Sequence, residues 1–376
     1  MFDEQDTKMM ARALDLARRP VEPPYPNPRV GAVIARDGEV LSEGWHAAYD
    51  APHAEYMALE KLGFRAPGAT IYVTLEPCCP FPGKRNPACS ELIVAAGIAR
   101  AVIALPHPFD GENRGRAIME EGGVKVETGL LAEEAEWLVA GLFHYRRTGR
   151  PMVAAKWAMT ADGLIAPPDR KRGKISSPEG FRFAHLMRHR ADAVLVGVGT
   201  VLADDPMLDC REAGFSHPVR VVADPRLETP PGSKVAATAR ERRTVVLCAE
   251  DAPQERERAL EKLGVEVARL RARGGELAPS DMLAALAERN CLLVLVEGGA
   301  SVHGRFFDAG LVDEYMIVVA PKLLGGRDSL HPIGGKGRGD LAQCVPLADF
   351  RVERLGEDLL LRGRPVFDGR RATRRP

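Results

Sequence analysis

The chain has 376 residues, 45% of them hydrophobic and 28% charged, which is ordinary for folded protein and leaves room for two domains. Its 52 basic and 52 acidic residues cancel, so no overall field gathers nucleic acid or an anionic membrane. No apolar run reaches membrane-spanning length, and the acidic start Met1-Phe2-Asp3-Glu4-Gln5-Asp6 lacks a signal-peptide pattern.

In chain order, residues 7–19 read as a helix with Met9, Met10, Ala13, Leu14 and Ala17 on one face, ended by Pro20. Residues 30–35 and 39–43 read as strands around an Asp37-Gly38 turn. A helix over 53–62, a strand over 69–75, a helix over 88–96, a strand over 100–105, a helix over 115–121 and a strand over 124–127 follow. Strands alternating with helices predict a layered α/β domain. The stretch 144–151 loosens into Tyr-Arg-Arg-Thr-Gly-Arg-Pro and reads as a linker. Beyond it a second α/β series carries strands at 152–157, 193–197, 219–223, 244–248, 292–296 and 315–319. The expected division is 1–147, 148–363 and a solvated, disordered basic tail over 364–376. There are no internal repeats.

Seven cysteines do not form a disulfide framework, since Cys210, Cys248, Cys291 and Cys344 are scattered. Cys78, Cys79 and Cys89 instead cluster near His53-Ala54-Glu55, which predicts one thiolate site in a reducing, cytoplasmic setting. His-x-Glu followed by Pro77-Cys78 and a further Cys is the known signature of zinc-dependent nucleobase deaminases. One imidazole and two thiolates leave a fourth zinc position open for water, as catalysis requires. Glu55 stands two residues from His53, in reach of that proton. A lone His-x-Glu would be read as surface, and isolated cysteines as buried packing; their combination favours metal. His53 and Cys89 both start predicted helices, where the dipole favours negative charge. Ten residues, 79–88, separate Cys78 from Cys89, and Cys79 is a second candidate. Pro77 fixes the turn before Cys78, which is therefore preferred.

Tyr25-Pro26-Asn27-Pro28-Arg29-Val30-Gly31, Gly44-Trp45-His46 and Pro52-His53-Ala54-Glu55 resemble the deaminase half of the bifunctional riboflavin-biosynthesis deaminase/reductases, the RibD family. That resemblance implies that Asn27 and His46 line a pyrimidine pocket. Read alone, Asn27 is equally a turn residue between prolines, and His46 a structural one. The family's cysteine segment is long, and Gly83-Lys84-Arg85-Asn86-Pro87 looks like a further expansion of it. The chain departs from the family at Leu105-Pro106-His107-Pro108, where Asp-Pro is usual.

The second half has no Gly-x-Gly-x-x-Gly fingerprint. It has two glycine turns after strands, Gly197-Val198-Gly199-Thr200 and Glu297-Gly298-Gly299-Ala300-Ser301. Each can be a tight βα turn or a phosphate cradle at a helix start. Together with Lys156-Trp157-Ala158-Met159-Thr160-Ala161-Asp162-Gly163, Asp204-Asp205-Pro206 and Ala320-Pro321-Lys322-Leu323-Leu324-Gly325-Gly326, they stand in the order of the RibD reductase half, which is similar in fold to dihydrofolate reductase. The resemblance spans most of 7–363. It implies a cytidine-deaminase-like α/β/α domain followed by a dihydrofolate-reductase-like α/β domain. It also implies that Thr200, Asp204, Gly299, Ala300 and Ser301, within a Gly299–Arg305 turn, hold NADPH. Arg188, Leu208, Arg211 and Glu297 would face the sugar phosphate, with Lys156 at the sugar carbonyl; Arg182 reads as surface. Lys174 replaces a usual Trp before Ile175-Ser176-Ser177.

The implied function is zinc-dependent deamination of 2,5-diamino-6-(5-phosphoribosylamino)pyrimidin-4(3H)-one, then NADPH-dependent reduction of its ribosyl group. Alternatives are another aminopyrimidine or pterin-like substrate, and a non-catalytic nucleotide-binding relative. A nucleic-acid base deaminase is disfavoured by the neutral charge. Expected partners are the small phosphoribosylaminopyrimidine and further copies in a homo-oligomer, with no nucleic acid and no membrane.

Overall fold

The computed structural model describes residues 2–19, 25–80, 87–108, 114–169, 173–212, 216–367 and 370–371. The chain divides into two compact units, one up to Phe143 and one from His144 onward.

The first contains α1 (Glu4–Ala17), β1 (Gly31–Arg36), β2 (Glu39–Trp45), α2 (Ala54–Glu60), β3 (Thr70–Leu75), α3 (Cys89–Ala95), β4 (Arg100–Leu105), α4 (Gly115–Glu121) and β5 (Lys125–Thr128). Helix α5 (Ala132–Thr148) crosses the boundary between the units. The five-stranded sheet runs β2-β1-β3-β4-β5, with β1 antiparallel to both neighbours and β3-β4-β5 parallel. Asp37 (φ 48) and Gly38 (φ 84) make the tight β1–β2 turn that their sequence announces. Helix α1 starts earlier than its apolar face predicts, because Asp3 caps it in a reciprocal box with Asp6. Asp6 then turns inward, taking 2.6 and 2.9 Å bonds from Arg100 and a 2.8 Å bond from Tyr72, which clamps α1 to β3 and β4. Ala32, Ile34, Ile71, Val73, Ala101 and Ile103 of the sheet form a core with Ala58 and Leu59 of α2 and Ile93 of α3.

Two glycines set how closely helices approach the end of this sheet. A methyl group on Gly44 of β2 would overlap the Ala54 carbonyl of α2 and stand 2.8 Å from the Ala58 nitrogen. One on Gly115 of α4 would overlap the Pro77 carbonyl. Helix α2 and the Pro77 turn are thereby seated with no side chain between backbones.

The second unit contains β6 (Met152–Thr160), α6 (Pro178–Arg190), β7 (Ala193–Gly197), α7 (Val198–Asp204), β8 (Val219–Ala223), α8 (Lys234–Ala237), β9 (Thr244–Ala249), α9 (Gln254–Glu261) and β10 (Glu266–Leu270). A small hairpin, β11 (Ala272–Arg273) and β12 (Glu276–Leu277), leads to α10 (Pro279–Ala287), β13 (Leu293–Gly298), α11 (Ala300–Asp308), β14 (Glu314–Ala320), β15 (Leu347–Leu355), β16 (Asp358–Phe367) and β17 (Arg370–Arg371). Its ten-stranded sheet follows β10-β9-β8-β7-β13-β6-β14-β16-β15, with β17 pairing to β16. The strands from β10 to β14 are parallel, and β16 and β15 antiparallel. Continuous burial along 193–196 and 244–249 is what a parallel sheet covered on both faces demands.

Three expectations need correction. The predicted linker at 144–151 is helical as far as Thr148, since α5 continues through its charged end. The stretch 132–143, not recognised as a helix from sequence, forms the rest of α5. The tail is ordered at its start: residues 364–367 belong to β16, where Arg364 and Pro365 pair with Ala348 and Leu347, and Arg370 pairs with Phe367. Residues 368–369 and 372–376 of that tail lie outside the described residues.

Gly44→Ala is expected to destabilise the protein by about 1–3 kcal/mol, since the backbones on both sides cannot yield. Gly232→Ala, where nothing lies within 4 Å of an added methyl, should change stability by less than about 0.5 kcal/mol. Urea unfolding followed by circular dichroism compares the two; equal midpoints would refute the packing argument.

Candidate functional site

Three segments of the first unit end at one point. His53 is the N-cap of α2, Cys78 follows the end of β3, and Cys89 opens α3. The ligand atoms of these three residues all lie within 4.8 Å of one another. Both the Cys78 and Cys89 sulfurs stand 3.5 Å from His53 Nδ1. Cys79 is buried nearby but is not one of the three. The chain braces Cys78 from its own backbone: the Cys89 N–H donates to its sulfur at 3.4 Å, and the Ser90 N–H and hydroxyl donate to its carbonyl at 3.2 and 3.0 Å.

Cys78 is correspondingly acidic. The Cys89 thiol and then the His53 imidazole lower its pKa to about 3, against burial, which works the other way. A half-buried thiolate beside a second thiol and an imidazole is a soft donor set of the size a tetrahedral zinc ion takes. Glu55 lies in the first turn of α2 and is 3% exposed. Such a carboxylate belongs to a site and not to the surface.

His46 and Asn27 are also brought together. His46 Nδ1 lies 3.1 Å from the Pro52 carbonyl, which can only accept, so that nitrogen carries the proton. Its Nε2 is then the acceptor for the Asn27 amide at 3.1 Å, and the same Asn27 nitrogen donates to the Tyr49 carbonyl at 3.2 Å. Burial holds His46 below the usual histidine range, which keeps the ring neutral. Its ring meets that of His53 edge-on at 5.3 Å.

Sequence reading passed over Glu76. This residue, 6% exposed, precedes Pro77 and accepts the backbone N–H of Arg116 at 2.9 Å and of His107 at 3.2 Å. It ties α4 and the 105–108 loop to the end of β3, one residue before the Pro-Cys turn. A carboxylate closing an otherwise apolar strand was the available signal. The segment Gly83–Asn86 of the expanded loop lies outside the described residues.

In the second unit the marked motifs meet at the carboxyl ends of adjacent parallel strands, β7, β13, β6 and β14, where open α/β sheets place ligands. Gly299 (φ 76) caps α11, whose first residues are Ala300 and Ser301. A methyl group on Gly298 would stand 3.0 Å from the Thr200 hydroxyl oxygen and 2.9 Å from Val196, and one on Gly299 would stand 3.3 Å from Thr200. The bare glycines and the α7 hydroxyl thus shape one cradle open to backbone N–H groups, suited to a phosphate. Asp204 ends α7 and is half-buried. Asp162, after β6, accepts the N–H of Gly325 at 2.7 Å and of Leu324 at 3.2 Å, joining two of the motifs.

Lys156, Arg188 and Glu297 form a charged group, with Lys156 buried and the other two half-buried. The Arg188 fork grips Glu297 through Nε at 3.0 and 3.1 Å and Nη2 at 2.5 Å, while Nη1 donates to the Asp209 carbonyl at 3.0 Å. Burial pushes the Lys156 ammonium below the usual lysine range, opposed by Glu297. Burial also resists ionisation of Glu297, but the Arg188 charge and hydrogen bonds, with Lys156, hold it below the usual carboxylate range. Leu208 is buried with φ 52. Arg211 is exposed, its Nε 3.5 Å from Asp209. Arg182 is exposed, and Lys174 lies over the Phe181 ring at 6.0 Å.

Comparison with known proteins matches the two units to different family models. Residues 3–105 match the cytidine and deoxycytidylate deaminase zinc-binding region, and residues 151–361 match the RibD C-terminal domain. The riboflavin biosynthesis protein RibD of Actinobacillus pleuropneumoniae is 39% identical over 95% of this chain and 94% of its own length. That of Escherichia coli (strain K12) is 34% identical over 95% and 98%. Among solved structures, Acinetobacter baumannii RibD gives a TM-score of 0.71 at 31% identity, covering 96% of this chain and 99% of that one. A diaminohydroxyphosphoribosylaminopyrimidine deaminase/5-amino-6-(5-phosphoribosylamino)uracil reductase from Thermotoga maritima gives 0.71 at 32%, with the same coverage.

Cys78→Ser and Cys89→Ser should each strip zinc from the purified protein, whereas Cys79→Ser should retain it. Elemental analysis by mass spectrometry decides; zinc loss in the Cys79 variant alone would reverse the ligand assignment.

Proposed function

The chain belongs to the RibD family of riboflavin biosynthesis proteins, and on that premise we propose that residues 1–147 deaminate 2,5-diamino-6-(5-phosphoribosylamino)pyrimidin-4(3H)-one and residues 148–363 reduce the ribosyl group of the product with NADPH. The observation that carries this reading is the convergence of His53, Cys78 and Cys89 with a buried Glu55 on the same helix start.

His53, Cys78 and Cys89 would hold zinc, which when bound would supply the Lewis acidity that activates water near neutral pH. Glu55 takes the proton of the attacking water and returns it to the departing amino nitrogen, so that ammonia leaves. Asn27 and His46 hold the pyrimidine. His46 and Tyr49 receive the Asn27 amide nitrogen's hydrogen bonds, which turns the Asn27 carbonyl oxygen into the group offered to a ring amino group.

In the second unit NADPH supplies hydride, and the protein supplies position and charge. Thr200, Asp204 and the Gly299-Ala300-Ser301 cradle would hold the cofactor. Lys156 faces the sugar carbonyl and stabilises the charge that develops on its oxygen. Leu208 and Arg211 form the sugar-phosphate end. Arg211 is the exposed forked donor, whereas the Arg188 fork is committed to Glu297 and fixes that carboxylate toward the sugar. None of the seven cysteines forms a disulfide, which fits the cytoplasmic setting we assign. Among the described residues no helix is long and apolar enough to cross a membrane.

Glu55→Gln should slow ammonia release by about 100- to 10,000-fold, the usual worth of a positioned acid/base, with zinc content and reduction of the deaminated substrate unchanged. Loss of both activities would contradict independent sites. Arg188→Lys keeps the charge but not the fork, and should cut reductase kcat/KM by about tenfold or more while leaving ammonia release intact.

A further inference from the structure

The turn that follows α7 is pinned at successive residues. Arg220 of β8, 1% exposed, donates to the Met207 carbonyl at 3.4 Å. Leu208 is buried at φ 52. The Asp209 carbonyl accepts Arg188 Nη1 at 3.0 Å and His185 Nδ1 at 3.1 Å, both from α6. The Cys210 N–H donates to His217 Nδ1 at 3.2 Å, and the Cys210 thiol to the His185 carbonyl at 3.4 Å. Arg211, the next residue, is exposed.

The Asp209 side chain reaches forward to it. This carboxylate is buried, and its Oδ2 accepts Arg242 Nη1 at 2.6 Å. Its Oδ1 is also buried, accepts no hydrogen bond, and lies 3.5 Å from Arg211 Nε. Burial opposes ionisation of Asp209, but the Arg242 hydrogen bond and charge, with the Arg211 charge, hold it below the usual carboxylate range. A buried carboxylate oxygen without a donor is costly, and Arg211 Nε stands almost close enough to relieve it.

We propose that Asp209 is a positioning residue for the sugar-phosphate end, acting through Arg211, which rests on the reductase function proposed above. The carboxylate engages the Nε side of the guanidinium and restrains its long stem. The two Nη nitrogens stay free to meet a phosphate side by side. Asp209 serves the sugar through its main chain, since its carbonyl orients Arg188, whose other nitrogens grip Glu297. A change of side chain at 209 leaves that second link in place, so the two roles separate. A carboxylate beside Arg211 also subtracts from the positive charge that a phosphate meets. Restraint outweighs that subtraction, because water already screens an exposed charge, whereas a free stem must be ordered at every binding event.

The test follows NADPH consumption by the full chain with the deaminated ribosyl phosphate substrate, and with the same substrate after its phosphate is removed. Asp209→Asn keeps the shape and removes the charge. It should raise KM for the phosphorylated substrate about threefold to tenfold, with kcat, the KM for NADPH and ammonia release unchanged. On the dephosphorylated substrate kcat/KM should not move. Asp209→Ser, smaller and also neutral, should give the same pattern. Arg211→Ala should raise the same KM, and Asp209→Asn added to it should have no further effect, because the carboxylate acts through that arginine. A KM unchanged or lowered by both Asp209 variants, an equal loss on the two substrates, or additive effects of Asp209→Asn and Arg211→Ala would overturn the proposal. A wild type that consumes no NADPH overturns the reductase function itself, and this role of Asp209 with it.

Discussion

Two thiols and an imidazole, from Cys78, Cys89 and His53, meet at one partly buried point of the first unit. A soft divalent cation would neutralise the thiolates such a cluster favours, and the fold's task is to deliver the three side chains to one place. No local stretch of chain can do so. His53, Cys78 and Cys89 come from three segments, and each is fixed by contacts that leave little play. Gly44 lets α2 lie directly on β2. Gly115 lets α4 press on Pro77, while Glu76 ties α4 and the 105–108 loop to the same strand end.

The second unit solves a different electrostatic problem with the same architecture. Its glycine motifs also lie at the carboxyl ends of parallel strands, where helix starts offer N–H groups without intrahelical partners. Here the charges belong to the unit's own side chains: Lys156 is buried, and Arg188 and Glu297 are half-buried beside it. The Arg188–Glu297 fork neutralises one charge with another and leaves Lys156 as the cation that burial makes least comfortable. A cation so placed responds strongly to negative charge on a nearby oxygen.

The two ends of the large sheet differ in kind. Strands β8, β9 and β10 are parallel and lie toward one edge, with β8 and β9 almost wholly buried. The other edge closes with an antiparallel ribbon, β16 and β15, whose outer strand is exposed along residues 349–354. Antiparallel additions need no crossover helix, so β15 and β16 join through the two-residue turn at Gly356.

The sequence by itself determined the class of both units, because strand–helix alternation and unbroken apolar runs such as 193–196 allow few other layers. It also determined the metal-site chemistry, since His-x-Glu with Pro-Cys and a further Cys is a local pattern whose residue types have little other use together. It did not reveal that α5 runs through the supposed linker, because Tyr145, Arg146, Arg147 and Thr148 carry no apolar stripe, or that residues after Gly363 complete β16, because basic residues on an edge strand look like a tail. Choosing Cys78 over Cys79 rested on one proline; only the tertiary structure sets the Cys78 sulfur against His53 and Cys89. Only the tertiary structure, too, shows that Arg188 and Glu297, 109 positions apart, hold each other, and that Glu76 braces the metal turn. Local chemistry is written in neighbouring residues, whereas partnership between distant side chains depends on strand order and on the clearances between helix and sheet that glycine alone permits.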